Sequence, residues 1–246
     1  MGTVDVVVLT KNSERLLNAC LESIYENVPV NRLIVVDGFS SDDTLTILDG
    51  FSREYGNVKI ISERGSRGEA RQRGIQEVQT EWFMFVDSDV ILCKDWFNKA
   101  SKYIGKDVGA ILGIDVPGDV RNRLLVKILQ WMEARVYDIR GSCQDTLIRY
   151  DAVRDIKIPS KLHVLEDAYI KEWIIGKKYR VIVSYPSYCR HYKQMNSLLS
   201  TENRLSTISE LKNFRLVKER LVYAMIFGLV WLLQEVGSKN KTRGLK

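Results

Sequence analysis

The sequence predicts an α/β fold: a mostly parallel central sheet with helices on both faces, plus a C-terminal helical appendage. Three observations lead there. Short apolar runs alternate strictly with segments of helical periodicity from residue 5 to residue 104. Those runs are almost continuously apolar, the pattern of strands buried on both faces. The chain has 246 residues, 45% hydrophobic and 28% charged, which is enough for one substantial core and excludes a disordered chain.

Taken in order, 5–10 (DVVVLT) is a β-rich run. Leu16, Leu17, Cys20, Leu21 and Ile24 then recur at helical spacing behind a cap at Asn12 or Ser13. RLIVV, 32–36, reads as a second buried strand, 37–41 as a turn, and 42–51 as a helix with acids in its first turn. A third strand is expected at 58–62, a Gly-containing loop at 64–68 and a helix at 69–79. A fourth strand follows at 82–86 and a helix at 95–104. Beyond residue 108 the alternation loosens. Strands are expected at 108–114, 147–149 and 179–183, and helices at 121–137, 166–175 and 205–236. The division is one domain over 1–204 and a basic, apolar helical segment over 205–246.

In parallel sheets, ligands bind beyond the carboxyl ends of the strands. Residues 10–12, Asp37, 63–67 and 87–89 are therefore expected to meet in one crevice. The net charge of +6 suits anionic partners. No motif or basic–aromatic platform for nucleic acid is present, so none is expected as a partner. Cys20, Cys93, Cys143 and Cys189 form no CxxC pair, which argues against a zinc site and for reduced thiols in a cytosolic setting. The N-terminus runs directly into a strand, so neither a signal peptide nor a myristoyl anchor is expected.

Asp87 and Asp89 stand at the end of a buried strand (FVDSDV). Paired acids there are costly unless a metal or a cationic partner neutralises them. Oxygen ligands suit Mg²⁺ or Mn²⁺, with substrate phosphates in the other positions; a turn that caps a helix is the plainer reading. Arg67 and Arg71 are one helical turn apart in RGSRGEARQRG and match phosphate in their donor geometry, whereas Arg73 fits a solvated face. The helix N-terminus after this loop is a further anion attractor. Glu166 and Asp167 read either as acids at a helix start or as chemistry. His191 reads as a hydrogen-bonded structural residue or a ligand. With only two histidines, a His-rich metal site is excluded.

In their order and spacing, the segments LTKNSE, VVDGFSSDDT, RGEARQRGI, FVDSDV, LEDAYIKEW and RHY resemble a family 2 glycosyltransferase of the GT-A fold. The resemblance covers about residues 4–193. It implies inverting transfer of a sugar from a nucleotide-sugar donor to an acceptor hydroxyl or phosphate, with a divalent metal, Mn or Mg. By similarity, Asp37 contacts the base, and Thr10 and Asn12 line its pocket. Arg71 sits against the nucleotide, and Asp87 near the ribose or metal. Asp89 binds the metal, and His191 completes the site. Asp167 is the general base, with Glu166 supporting it. Asp37-Gly38 stands where many members have two acids, and TKNSE lacks the common proline and tyrosine. No QxxRW motif follows His191, which points to single transfer rather than polymer synthesis. The rivals are a nucleotidyltransferase, which would carry its Gly/Arg loop near the N-terminus, and a non-catalytic nucleotide-sugar-binding module.

LVYAMIFGLVWLL, 221–233, is thirteen uncharged residues between basic flanks. It is short for a membrane span, which needs roughly 20. Peripheral contact of 212–246 with an anionic membrane, at the inner face of the plasma membrane, and packing on the domain or on a second subunit stand as equal readings. The first would suit a lipid-linked acceptor.

Overall fold

The computed structural model describes residues 2–192, apart from 119, 121, 123, 129, 132–133, 135–140 and 161. Of the helix expected at 121–137, residues 124–128, 130, 131 and 134 are helical and eight positions lie outside the described residues, as does all of the segment 205–246. Among the described residues no helix is long and apolar enough to cross a membrane.

The elements are β1 Val4–Thr10, α1 Glu14–Asn27, β2 Val30–Asp37, α2 Thr44–Tyr55, β3 Val58–Ser62, α3 Arg67–Glu77, β4 Trp82–Asp87, β5 Val90–Leu92, α4 Trp96–Ala100, β6 Val108–Pro117, β7 Asp145–Arg149, α5 Tyr150–Val153, α6 Glu166–Gly176 and β8 Arg180–His191. The strands form one sheet in the order β3-β2-β1-β4-β7-β6-β8-β5. β1, β2, β3 and β4 are mutually parallel, β6 and β8 are parallel, and β7 and β5 run against their neighbours. The mixed, mostly parallel sheet is the predicted one.

Alternation along β1 divides the core. Val4, Val6 and Val8 pack in one cluster with Leu17, Cys20, Leu21 and Ile24 of α1 and with Leu48 and Phe51 of α2. Val7 points the other way, where a Cβ on Gly74 of α3 would overlap its methyl group. That glycine lets α3 lie against the sheet. At the amino ends of the strands, buried Asp5 takes hydrogen bonds from Asn31, Arg32 and the Gln79 N–H, at 2.7–2.8 Å for the closest contact of each, and fixes that end. All four cysteines are buried, and none forms a disulfide.

The chain lays β2 and β3 on one side of β1 and β4 on the other, so a topological switch lies between β1 and β4. In open α/β sheets this is where ligands bind. Several elements differ from expectation: the short α5 was not expected, and α2 begins at Thr44, so the acids expected in its first turn precede it. The helix expected at 95–104 starts at Trp96, because Asp95 adopts a left-handed backbone (φ 58°), and after Ala100 it narrows to a 3₁₀ turn, Ser101–Tyr103. β5 was not expected; it follows the acidic turn directly and pairs with β8. β8 continues to His191 rather than ending near residue 183, because β6 and β5 pair with its polar, proline-containing tail. Asp42 precedes α2 and accepts from the Thr44 hydroxyl at 2.6 Å.

Candidate active site

Several of the loops beyond the strand ends are joined by hydrogen bonds. At the end of β1, the Thr10 hydroxyl donates to Asp37 Oδ1 at 2.8 Å. Asp37, buried at the end of β2, also accepts the Ser40 hydroxyl at 2.6 Å and the Ser40 N–H at 2.8 Å. Asn12 joins the same loop: its N–H donates to Ser40 Oγ, and its Oδ1 accepts from the Ser41 N–H, both at 2.9 Å. Asn12 (φ 49°) and Phe39 (φ 60°) are left-handed. Such residues are costly and persist where surrounding bonds determine them. The Arg64 guanidinium lies 4.3 Å from the centre of the half-exposed Phe39 ring.

The acidic turn between β4 and β5 sends its three side chains to different partners. Asp87 Oδ1 accepts from Arg71 Nη2 at 2.7 Å. Ser88 shares a 2.9 Å hydrogen bond with Ser13, the N-cap of α1. Asp89 Oδ1 lies 3.2 Å from His191 Nε2. The Nδ1 of the same ring lies 3.0 Å from Asp115 Oδ2.

Arg71 and Arg67 share one face of α3, as their spacing predicts. Arg71 is buried, with its guanidinium 4.6 Å from the Phe85 ring centre. Burial opposes its charge, but Asp87, and beyond it Glu166, hold its pKa above the ordinary value. Arg67 is more exposed and sits 3.8 Å from Glu166. Arg73 pairs with Glu77 at 3.1 Å on the solvated face. The N-terminus of α3 is closed by a capping box: Glu69 N–H donates to Ser66 Oγ, and Ser66 N–H to Glu69 Oε2. Those donors serve the helix itself.

Glu166 and Asp167 begin α6, with Leu165 as N-cap. The preceding segment is tied to α3 by the Gly68 N–H donating to the Leu162 carbonyl at 3.0 Å. Asp167 is half-buried, and its Oδ1 accepts from the Ala168 N–H. Glu166 is buried, and burial pushes its carboxyl up to about 7; Arg67 and Arg71 pull against that shift and Asp167 adds to it.

Two acids escaped the sequence reading. Asp115 lies in β6 and Asp145 opens β7; both are buried. Asp145 accepts from Trp96 Nε1 at 2.8 Å, and burial holds its carboxyl well above the usual range. The signal was available: each is a lone acid in or beside an apolar run.

Among the described residues, no three His, Cys, Asp or Glu side chains form a cage for a metal ion. A carboxylate and an imidazole that face each other at the mouth fit a cation that takes its remaining ligands from substrate oxygens and water.

The family model for glycosyl transferase family 2 matches residues 5–154. The chain is similar to the poly(ribitol-phosphate) beta-glucosyltransferase of Bacillus spizizenii, at 32% identity over 127 residues, 47% of this chain and 20% of that protein. It is similar to the minor teichoic acid biosynthesis protein GgaB of Bacillus subtilis, at 22% identity over 191 residues, 70% of this chain and 21% of that protein. The chain thus spans about a fifth of the length of these curated relatives. Among solved structures, a mannosyltransferase from Pyrobaculum calidifontis in complex with GDP-Man and Mn²⁺ aligns with a TM-score of 0.62 at 19% identity, over 78% of this chain and 57% of that one. TarS 1–349 of S. aureus in complex with UDP aligns with a TM-score of 0.59 at 21% identity, over 76% and 60%. The fold is the one these structures share.

Proposed function

For a chain that belongs to glycosyl transferase family 2, we propose inverting transfer of a single sugar from a nucleoside-diphosphate donor to an acceptor hydroxyl or lipid phosphate, assisted by Mn²⁺ or Mg²⁺. The observation that carries this reading is the meeting of Asp89 and His191, 3.2 Å apart, beyond the end of β4. The same strand end is linked through Asp87 and Arg71 to α3, and α3 through Arg67 to Glu166 of α6. Relatives of like fold lend support: one binds GDP-Man with Mn²⁺ and another binds UDP.

Each group has a part in this reaction. The Thr10–Asp37–Ser40 cluster and Asn12 shape the rim for the nucleoside. Asp89 and His191 would hold the cation, which when bound neutralises charge on the departing diphosphate. Arg71 acts through Asp87, since its guanidinium is buried and its Nη2 is spent on that carboxylate. Arg67, the more exposed of the two, is the arginine that can turn toward a phosphate while paired with Glu166. Asp167 takes the acceptor's proton. Its place in the first turn of α6 favours its ionised form, which is the form that acts as a base. Glu166 supports it by holding Arg67. An acceptor that attacks from the side opposite the leaving group, with one base and no covalent intermediate, gives inversion.

Thermal shift with UDP, GDP, CDP and dTDP, each with and without Mn²⁺, tests the reading. A ligand that binds only the folded state raises stability by about 2.7 kcal/mol at a hundredfold excess over Kd. One nucleotide is expected to shift the melt only with Mn²⁺, and the shift is expected to vanish in Asp89→Ala. No shift with any of the four overturns the reading. Peripheral membrane contact through 212–246 belongs to the lipid-phosphate form of the proposal. It fails if the chain does not co-sediment with anionic vesicles at low salt.

A further inference from the structure

Asp115 is a buried acid with no part in the scheme above. It lies near the end of β6, in the otherwise apolar run VGAILGIDVP. A carboxylate is carried into a sheet only where a donor meets it, and here the donor is His191 Nδ1, 3.0 Å away. The backbone leaves that ring little freedom. β6 and β8 run parallel, with Asp115 opposite Cys189 and Pro117 opposite His191. The His191 carbonyl accepts from the Gly118 N–H, and the next amide, Tyr192 N–H, donates to the Asp89 carbonyl, both at 3.0 Å. On its other side His191 pairs with Val90 of β5. The imidazole therefore stands between strands that are themselves paired. One nitrogen is committed to Asp115 and the other faces Asp89.

We propose that Asp115 is a positioning residue for the cation end of the site: by accepting the Nδ1 proton of His191, it holds the ring in the tautomer whose Nε2 lone pair faces Asp89. The inference rests on the reading that Asp89 and His191 hold a divalent cation. With a cation between Asp89 and Nε2, that nitrogen must offer its lone pair, and an ionised Asp115, which can only accept, is then met by the Nδ1 proton. Its charge also makes Nε2 a stronger ligand. Outer partners of this kind are typically worth about 10–100-fold in metal affinity. An amide in the same place could turn and donate to Nδ1. That would move the proton to Nε2 and close the nitrogen toward Asp89.

The test begins with the unaltered protein. The chain has two histidines, His163 and His191, so imidazole ¹⁵N spectra of the full chain and of His163→Gln assign the His191 nitrogens. With saturating Mg²⁺, a diamagnetic divalent cation, the ring proton is expected on Nδ1. A proton on Nε2 overturns the proposal without recourse to any variant. Mn²⁺ alone is then titrated, with free Mn²⁺ read by electron paramagnetic resonance, into wild type, Asp115→Asn and Asp89→Ala. Asp115→Asn is expected to bind Mn²⁺ about 10–100-fold more weakly, to show its His191 proton on Nε2, and to keep the wild-type far-UV circular dichroism. If Asp89→Ala loses Mn²⁺ while Asp115→Asn binds it as wild type does, the positioning role falls and the cation reading stands. If wild type and Asp89→Ala bind Mn²⁺ alike, the cation reading itself falls and takes the proposal with it.

Discussion

Arg71 Nη2 donates to Asp87 Oδ1 across 2.7 Å, and the two partners sit in different surroundings: the arginine side chain is 2% exposed, the aspartate 29%. The asymmetry predicts unequal costs when either partner is lost. Asp87→Ala strands a buried guanidinium and is expected to destabilise by roughly 3 kcal/mol. Arg71→Met removes the buried charge, fills a similar volume and leaves Asp87 to water, so it is expected within about 1.5 kcal/mol of wild type. Urea unfolding measures both. If Arg71→Met proves the costlier change, the pair is not the buried-charge arrangement described.

Close approach of α3 to the sheet makes a second contrast, between two helical glycines. A Cβ on Gly74 would overlap Val7 Cγ1, whereas one on Gly50 in α2 meets nothing within 4 Å. Gly74→Ala is expected to cost about 1–3 kcal/mol through overpacking. Gly50→Ala is expected to add roughly 0.4–1 kcal/mol by restricting the unfolded chain. Melting temperatures of the two variants should move in opposite directions.

The sheet was legible because continuous apolar runs and helical periodicity are local signals. The strand-end residues Thr10, Asp37, Asp87 and Asp89 followed from topology alone. What could not be read locally was partnership. Asp115 and His191 are 76 positions apart, and only the β6–β8 pairing brings them together. The tail of β8, SYPSYCRH, looks like a loop by composition and becomes strand because β6 and β5 flank it. Arg71 stands in a helix that is polar almost throughout; its burial is decided by Asp87 and Phe85 and not by its neighbours in sequence.

Glu166 predicts a pH dependence of stability. Burial raises its carboxyl from 4.5 to about 7 in the folded chain. Between those values the folded chain holds a proton that the unfolded chain releases, so this group's contribution to stability falls as pH rises. Glu166→Gln removes that penalty. The variant is expected to exceed wild type by roughly 1–3 kcal/mol at about pH 8. The advantage should vanish near about pH 4, where the wild-type residue is protonated in both states. Denaturant midpoints across this range read the difference directly. An advantage that is the same at both ends would mean Glu166 does not titrate as described.

Asp167 and Glu166 are adjacent in sequence yet differ in access, and that difference separates their roles in the proposed reaction. Asp167 is half-buried at the first turn of α6, and Glu166 is buried. If Asp167 takes the acceptor's proton, Asp167→Asn should slow release of nucleoside diphosphate from the donor about 10²–10⁴-fold, with water as the surrogate acceptor. The Mn²⁺-dependent thermal shift with nucleotide should stay as in wild type, because the lost group acts on the acceptor and not on the donor. Asp89→Ala should show the converse pattern, with the nucleotide shift gone along with turnover. Should Asp167→Asn abolish the nucleotide shift as well, Asp167 would belong to the donor site. The base would then have to be sought elsewhere, with Glu166 next to be tested.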